Sequence, residues 1–200
     1  TALTDEAIGF IESNQDKPFF LYLAYNAPHG PLEAPDKIET MYQGIEDVKR
    51  RTYAAMVHAL DDEVGRVVDT LNNLGLRKNT IVYFLSDNGG PEHANSSENG
   101  PLRGGKGEVY EGGIRVPFIV SWPGRIPKGS VNDSPVMSID VMRTSLELAG
   151  APIDAKLEGV NLMPYLDGSN ASDPHEALFW RMENGKDYAG RSGPWKMTKA

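Results

Sequence analysis

Ile81-Val82-Tyr83-Phe84-Leu85-Ser86-Asp87-Asn88-Gly89-Gly90 is an apolar run that stops at an acid, an amide and two glycines. Its β-branched and aromatic content and its short length predict a strand buried on both faces. Before it, Met56, Leu60, Val64, Val67, Leu71 and Leu74 recur at steps of three and four. That spacing predicts one face of a helix over about Ile45 to Leu74, stopped by Gly75. After it, Val116-Pro117-Phe118-Ile119-Val120 reads as another strand, and Trp122-Pro123-Gly124 turns out of it. Further upstream, Phe19 to Tyr25 is a third apolar run of the same two-sided kind, ended by the loop Asn26-Ala27-Pro28-His29-Gly30-Pro31.

Working outward, Thr4 with Asp5 and Glu6 predicts a helix start, with Ile8 and Ile11 facing inward and an end near Asn14. Ser138 is expected to cap a helix through Val141, Met142, Leu146 and Leu148, closed by Gly150. Helices alternating with continuous apolar strands predict an α/β layered core around a mostly parallel sheet flanked by helices. In such sheets ligands bind beyond the carboxyl ends of the strands. Past Asn161-Leu162-Met163-Pro164-Tyr165-Leu166 the composition loosens, and Ala177–Arg181 and Trp195–Thr198 predict short strands of a small second sheet. The expected organisation is therefore residues 1–163 in the α/β domain and 164–200 as the start of a small carboxy-terminal subdomain, cut short after Ala200.

Composition narrows the function classes. The formal net charge of −8 argues against nucleic acid as a partner, which a basic face would be needed to hold. It leaves room for an anionic substrate, because local cations can dominate a pocket. The absence of cysteine removes disulfides, thiol catalysis and cysteine-ligated zinc from this segment. No apolar run approaches the roughly 20 residues of a membrane span. Asn95, Asn132 and Asn170 stand in N-x-Ser/Thr patterns, which occur often by chance.

Chemistry concentrates where two of the predicted strands end. Asp87 and Asn88 offer adjacent hard oxygen donors, suited to Ca²⁺ or Mg²⁺ rather than zinc. By themselves the four residues Asp87 to Gly90 read first as a tight turn. His29, fixed between prolines, could donate a proton or bind an oxyanion, although a loop histidine is ordinarily a surface residue. Lys106 lies in Leu102-Arg103-Gly104-Gly105-Lys106-Gly107-Glu108, where glycines let the backbone approach a ligand and an ammonium suits a sulfate or phosphate oxygen. The competing reading is a flexible, solvated loop. The spacing is not that of a nucleotide-binding P-loop. His93 could line a substrate cleft formed by the Pro91–Pro101 loop; His58, structural or exposed within the long helix, and His175, in a polar loop, are not expected to be catalytic.

Taken in order, these segments resemble the sulfatase family. The matching pieces are Pro18–Leu23 running into Pro28-His29, Leu60–Gly65, Phe84–Gly90, Gly105-Lys106-Gly107, Glu111–Pro117, Leu146–Gly150 and Leu157–Leu162. The resemblance covers nearly the whole chain and implies the carboxy-terminal half of an alkaline-phosphatase-like α/β domain. It implies a formylglycine-dependent, arylsulfatase-like hydrolase that cleaves the sulfate ester of a sulfated small molecule or sulfated glycan. By resemblance, Asp87 and Asn88 are ligands of one Ca²⁺ (or Mg²⁺), His29 contacts the sulfate and protonates the leaving oxygen, and Lys106 holds the ester. The formylglycine, made from a Cys-x-Pro-x-Arg or Ser-x-Pro-x-Arg motif, is expected before Thr1 with the remaining ligands, so the chain alone is expected to be inactive. Residues Asp140 to Thr144 depart from the Pro-Thr that the family often carries there. A periplasmic or secreted location is implied by resemblance only. Two alternatives stay open: a phosphate or phosphonate ester hydrolase of the same superfamily, and a non-catalytic anion-binding module.

Overall fold

The computed structural model describes residues 1–182 and 185–199; the break expected after Ala200 lies outside them. In chain order the elements are helices α1 (Ala2–Ser13), α2 (Asp36–Glu39) and α3 (Val48–Asn73), strand β1 (Val82–Leu85), helices α4 (Glu92–Asn95) and α5 (Glu111–Ile114), strand β2 (Phe118–Ser121), helices α6 (Ile139–Leu148) and α7 (Met163–Leu166), and strands β3 (Leu178–Arg181), β4 (Tyr188–Ser192) and β5 (Trp195–Lys199). They form two compact units. One comprises Thr1–Thr80, Asp87–Lys106 and Glu111–Val116; the other comprises Ile81–Ser86, Gly107–Tyr110 and Pro117 onward.

In the first unit α1 starts earlier than expected. Thr1 stands at its N-cap, and Thr4 is a buried residue of the helix, its hydroxyl 2.9 Å from the Tyr25 hydroxyl. Thr4, Ala7 and Ile11 make the buried stripe. Phe10 meets Phe19 edge to face at 5.9 Å. These contacts dock the segment Phe19–Tyr25 on α1 through alternate residues. Phe19, Leu21, Leu23 and Tyr25 are half-buried, while Phe20 is 65 % and Tyr22 82 % exposed. The expectation of a strand buried on both faces is corrected here. The segment shows the period-two exposure of a β conformation, but it belongs to no ladder among the described residues.

Asp47 caps α3, accepting the Arg50 N–H at 2.8 Å. The helix buries Thr52, Ala55, Met56 and Leu71 and half-buries Leu60, Val64, Val67 and Leu74, the predicted face. It stops as predicted at Gly75, which takes φ +71°. Leu76 N–H bonds Leu71 O and Gly75 N–H bonds Asn72 O, the paired closure of a Schellman turn. Arg66 ties α3 to α1 through Asp5 at 2.6 Å and binds Glu63 at 2.8 Å.

In the second unit β1 and β2 pair antiparallel, Val82 opposite Ser121 through Leu85 opposite Phe118. Apolar runs alone predicted parallel neighbours; an antiparallel pair is common within otherwise parallel sheets of this class. Phe84 and Ile119 face each other across the ladder with their outer sides exposed. Helix α6 closes just before Gly150 as predicted, but Ser138 makes no side-chain capping hydrogen bond, Met142 and Leu148 are exposed, and its buried residues are Asp140 and Thr144. Asp140 accepts from the Met137 and Val160 N–H groups at 2.7 and 2.9 Å, and His175 Nε2 lies 2.9 Å away. The Thr144 hydroxyl accepts the Leu162 N–H at 2.9 Å. Polar side chains can face inward here because loop backbone, rather than another apolar helix face, lies against them.

The small sheet has the order β3-β4-β5, all antiparallel. Its outer strands match the predicted ones. The central strand β4, Tyr188-Ala189-Gly190-Arg191-Ser192, carries no apolar run for a sequence reading to find. It is held by ladders on both sides, with Gly190 opposite Phe179.

Candidate active site

The chain leaves β1 at Leu85 and enters a loop built by backbone contact. Gly89 N–H bonds Gly113 O at 3.0 Å, and a Cβ on Gly89 would fall 1.7 Å from the Gly112 carbonyl oxygen. Gly112 N–H in turn bonds Arg103 O at 2.7 Å. Gly105 lies against Gly90, where a Cβ would sit 2.5 Å from the Gly90 carbonyl oxygen. Three glycine-bearing stretches, Gly89-Gly90, Gly104-Gly105 and Gly112-Gly113, are therefore packed main chain to main chain. Side chains at these positions would hold the stretches apart. A plain turn after β1 needs none of these long-range contacts, so the turn reading falls short.

The side chains that flank these contacts include the candidates singled out in the sequence. Asp87 is exposed and has no hydrogen-bond or ion-pair partner among the described residues; Asn88 is half-buried. Lys106 follows the Gly104-Gly105 contact, is exposed, and pairs with no carboxylate among the described residues. Its loop is anchored immediately upstream by Gly90 and Asn99, which corrects the reading of Lys106 as part of a free loop. His93 projects from α4 and is exposed. All these residues lie in the first unit.

His29 belongs to the same unit, and its hydrogen bonds stay within its own loop. Its N–H bonds Asn26 O at 2.9 Å, and Nδ1 lies 2.9 Å from Gly30 O. A carbonyl only accepts, so Nδ1 carries a proton in this contact and Nε2 is the ring nitrogen left to meet a bound molecule. The ring is exposed, so that nitrogen can exchange a proton with a bound molecule. His58 and His175 have partners within the fold. His58 Nδ1 is 3.0 Å from the Tyr42 hydroxyl, and His175 is held on Asp140.

A divalent ion is implied by the donor chemistry at the strand tip. One carboxylate and one amide oxygen on consecutive residues fit a hard cation. The described residues contain no group of three or more His, Cys, Asp or Glu placed to hold a metal. The pair therefore fits as part of a ligand set, with the rest supplied from elsewhere.

The expectation that neither nucleophile motif stands within this chain is corrected by the sequence itself, which holds a literal Ser-x-Pro-x-Arg string, Ser121-Trp122-Pro123-Gly124-Arg125. The structure gives it another role. Ser121 is the ladder partner of Val82, Trp122 is buried, and Arg125 N–H and Ile126 N–H both bond Trp122 O in a turn with Gly124 at φ +85°. Arg125 lies 5.0 Å over the Trp122 ring. This is a strand exit closed by a cation–π contact.

Sequence reasoning missed Asn99. Its side chain links the two loops that carry Asp87-Asn88 and Lys106, and an asparagine before Gly100-Pro101 carries no pattern that marks it.

The family model for sulfatases matches residues 1–151. The chain belongs to the sulfatase family. Among curated relatives, this sulfatase chain is 39 % identical over 189 residues to the steryl-sulfatase of Rattus norvegicus, covering 88 % of the chain and 31 % of the relative. It is 39 % identical over 168 residues to the N-acetylgalactosamine-6-sulfatase of Mus musculus, covering 80 % of the chain and 31 % of the relative. The chain thus spans about a third of the length of the curated relatives it matches. Among solved structures, Ps i-CgsB in complex with k-i-k-neocarrahexaose superposes with a TM-score of 0.92 at 39 % identity, covering 100 % of this chain and 45 % of that one. The phosphonate monoester hydrolase SpPMH from Silicibacter pomeroyi matches with a TM-score of 0.77 at 21 % identity, covering 98 % and 50 %, and shares the fold alone. The alkaline-phosphatase-like α/β fold expected from the sequence is the fold of these neighbours.

Proposed function

We propose that this chain is the carboxy-terminal part of a sulfuric ester hydrolase acting on a sulfated carbohydrate or an aryl sulfate. The observation that carries the reading is the glycine-built junction that anchors the loop of Lys106, a cation with no carboxylate partner among the described residues, against the loop of the oxygen-donor pair Asp87-Asn88. The relatives support the choice of sulfate. Steryl-sulfatase and N-acetylgalactosamine-6-sulfatase are named for sulfate esters, and Ps i-CgsB was solved with an oligosaccharide.

In this reading Asp87 and Asn88 would hold part of the coordination of Ca²⁺ or Mg²⁺, with other ligands from outside the chain. When bound, the ion acts as a Lewis acid on the ester oxygens. Lys106 binds a sulfate oxygen and lowers the cost of charge that builds there as the bond to the leaving oxygen lengthens. His29, its Nδ1 proton engaged by Gly30 O, delivers the Nε2 proton to the leaving alkoxide or phenoxide. His93 lines the approach to the ester. The nucleophile, a formylglycine, lies outside this chain, so the chain alone does not turn over substrate. The parent is placed in the periplasm or outside the cell, and a parent sequence without a cleavable leader would count against that placement.

The test is an assay of the parent protein on an aryl sulfate, a sulfated oligosaccharide and the matching aryl phosphonate monoester. Turnover of a sulfate, abolished by calcium chelation and lowered by about 10²–10³ in Lys106→Ala, is the expected result. Preference for the phosphonate would move the chain to the sister chemistry. Binding of sulfate esters with no turnover of either class would make it a binding module.

A further inference from the structure

We infer that Asn99 is a positioning residue: its side-chain amide couples the loop of Asp87 and Asn88 to the loop of Lys106, so that the cation is presented at a set position. The inference rests on the hydrolase reading above. The Asn99 oxygen accepts the Gly90 N–H at 2.9 Å, and its amide nitrogen donates to Gly90 O at 2.8 Å and Gly104 O at 3.2 Å. Both main-chain polar groups of Gly90 and the carbonyl two residues before Lys106 are thus held by one carboxamide. The Asn99 main-chain N–H is itself fixed on the Glu92 carboxylate at 2.8 Å, which limits how the side chain can be presented.

Among the described residues, the Asn99 side chain makes this polar link at Gly90. Ser97 packs on Gly90 closely enough that a Cβ there would fall 2.1 Å from the hydroxyl, yet that hydroxyl is buried with no hydrogen-bond partner. Ser97 therefore contributes contact, while Asn99 contributes direction. An amide is required because the junction needs one acceptor and two donors on a single planar group. Asparagine meets that count; aspartate, of the same shape, keeps the acceptor and turns both donors into acceptors facing carbonyls.

The test uses the parent enzyme with Asn99→Asp and Asn99→Ala, each alone and combined with Lys106→Ala. A displaced Lys106 predicts that Asn99→Asp lowers kcat/KM for the aryl sulfate by about tenfold to a hundredfold. On the Lys106→Ala background the same change should cost less than about twofold, because the residue it acts through is gone. Equal losses on both backgrounds, or activity within about twofold of wild type in Asn99→Asp, would overturn the inference. Hydrogen exchange of the 200-residue chain gives a readout independent of turnover and of the variants' activity. The Gly90 amide should be protected in wild type and exchange about tenfold faster or more in Asn99→Ala. An unprotected Gly90 amide in wild type overturns the latch even if the hydrolase reading stands. A parent inert toward every ester, with Gly90 protected through Asn99, fails the hydrolase reading while the link between the loops holds.

Discussion

Lys106 is an exposed ammonium without a carboxylate partner among the described residues, on a chain of net charge −8. Leaving such a group unpaired among so many acids is what an anion-binding role requires. At the other extreme of burial, Ile11 is 1 % exposed at the centre of the α1 stripe. Ile11→Ala should therefore cost about 2–5 kcal/mol, read as a lower urea midpoint at unchanged slope. Glu147 shows how a surface acid becomes pH-sensitive. The Arg143 guanidinium, first, and the Asn161 amide, second, hold its carboxyl below the usual range. The sign follows from that direction. Its contribution is fully present above the ordinary carboxylate value of 4.5 and is lost as pH falls through the depressed folded value. Acid titration of stability for wild type and Glu147→Gln should give curves that differ near neutrality and converge in acid; a constant offset would contradict the assignment.

Helix α6 is the element whose logic differs most from its pattern. Asp140 is fully buried and satisfies the Met137 and Val160 N–H groups together with His175. Asp140→Ala leaves two main-chain donors without acceptors and should cost about 2–5 kcal/mol in thermal or urea unfolding of the second unit. Helix α3 is the opposite case, with cap, face and stop all written locally. Removing its cap by Asp47→Ala should free the Arg50 N–H and fray the first turn, measured as faster amide exchange at Lys49 to Arg51 with the rest of the helix unchanged. A loss of protection spread evenly along α3 would show that the cap is not what holds that end.

For the molecule as a whole, the outward residues Phe20 and Tyr22 in one unit, and Phe84 and Ile119 in the other, are apolar and exposed. Exposed apolar β surface is an association hazard unless something covers it. The chain alone should therefore bind a hydrophobic dye and self-associate with rising concentration. A non-binding monomer with sharp two-state unfolding would argue against this. Calcium at micromolar concentration should barely shift its melting temperature, since Asp87 and Asn88 are too few donors to bind the ion tightly.

Local rules were enough for helix α3, for the end of α6 and for the outer strands of the small sheet. The α3 face, its Gly75 stop and the end of α6 at Gly150 follow from periodicity and from the left-handed conformation glycine tolerates, properties that neighbours in sequence decide. The sequence by itself also determined the family, because an ordered set of short segments is specific where each one is not. Tertiary structure decided what depends on distant backbone. Thr4 became a core residue once Tyr25 lay beside it, β1 took an antiparallel partner, and β4 became a strand because β3 and β5 flank it. The junction of the candidate site is of this second kind. Gly89, Gly105 and Gly112 are glycines because carbonyls many residues away occupy the space a Cβ would need, and Asn99 matters because three bonds converge on it. Pattern along a chain reports what a residue is, whereas such contacts depend on which main-chain groups the fold brings within hydrogen-bond reach.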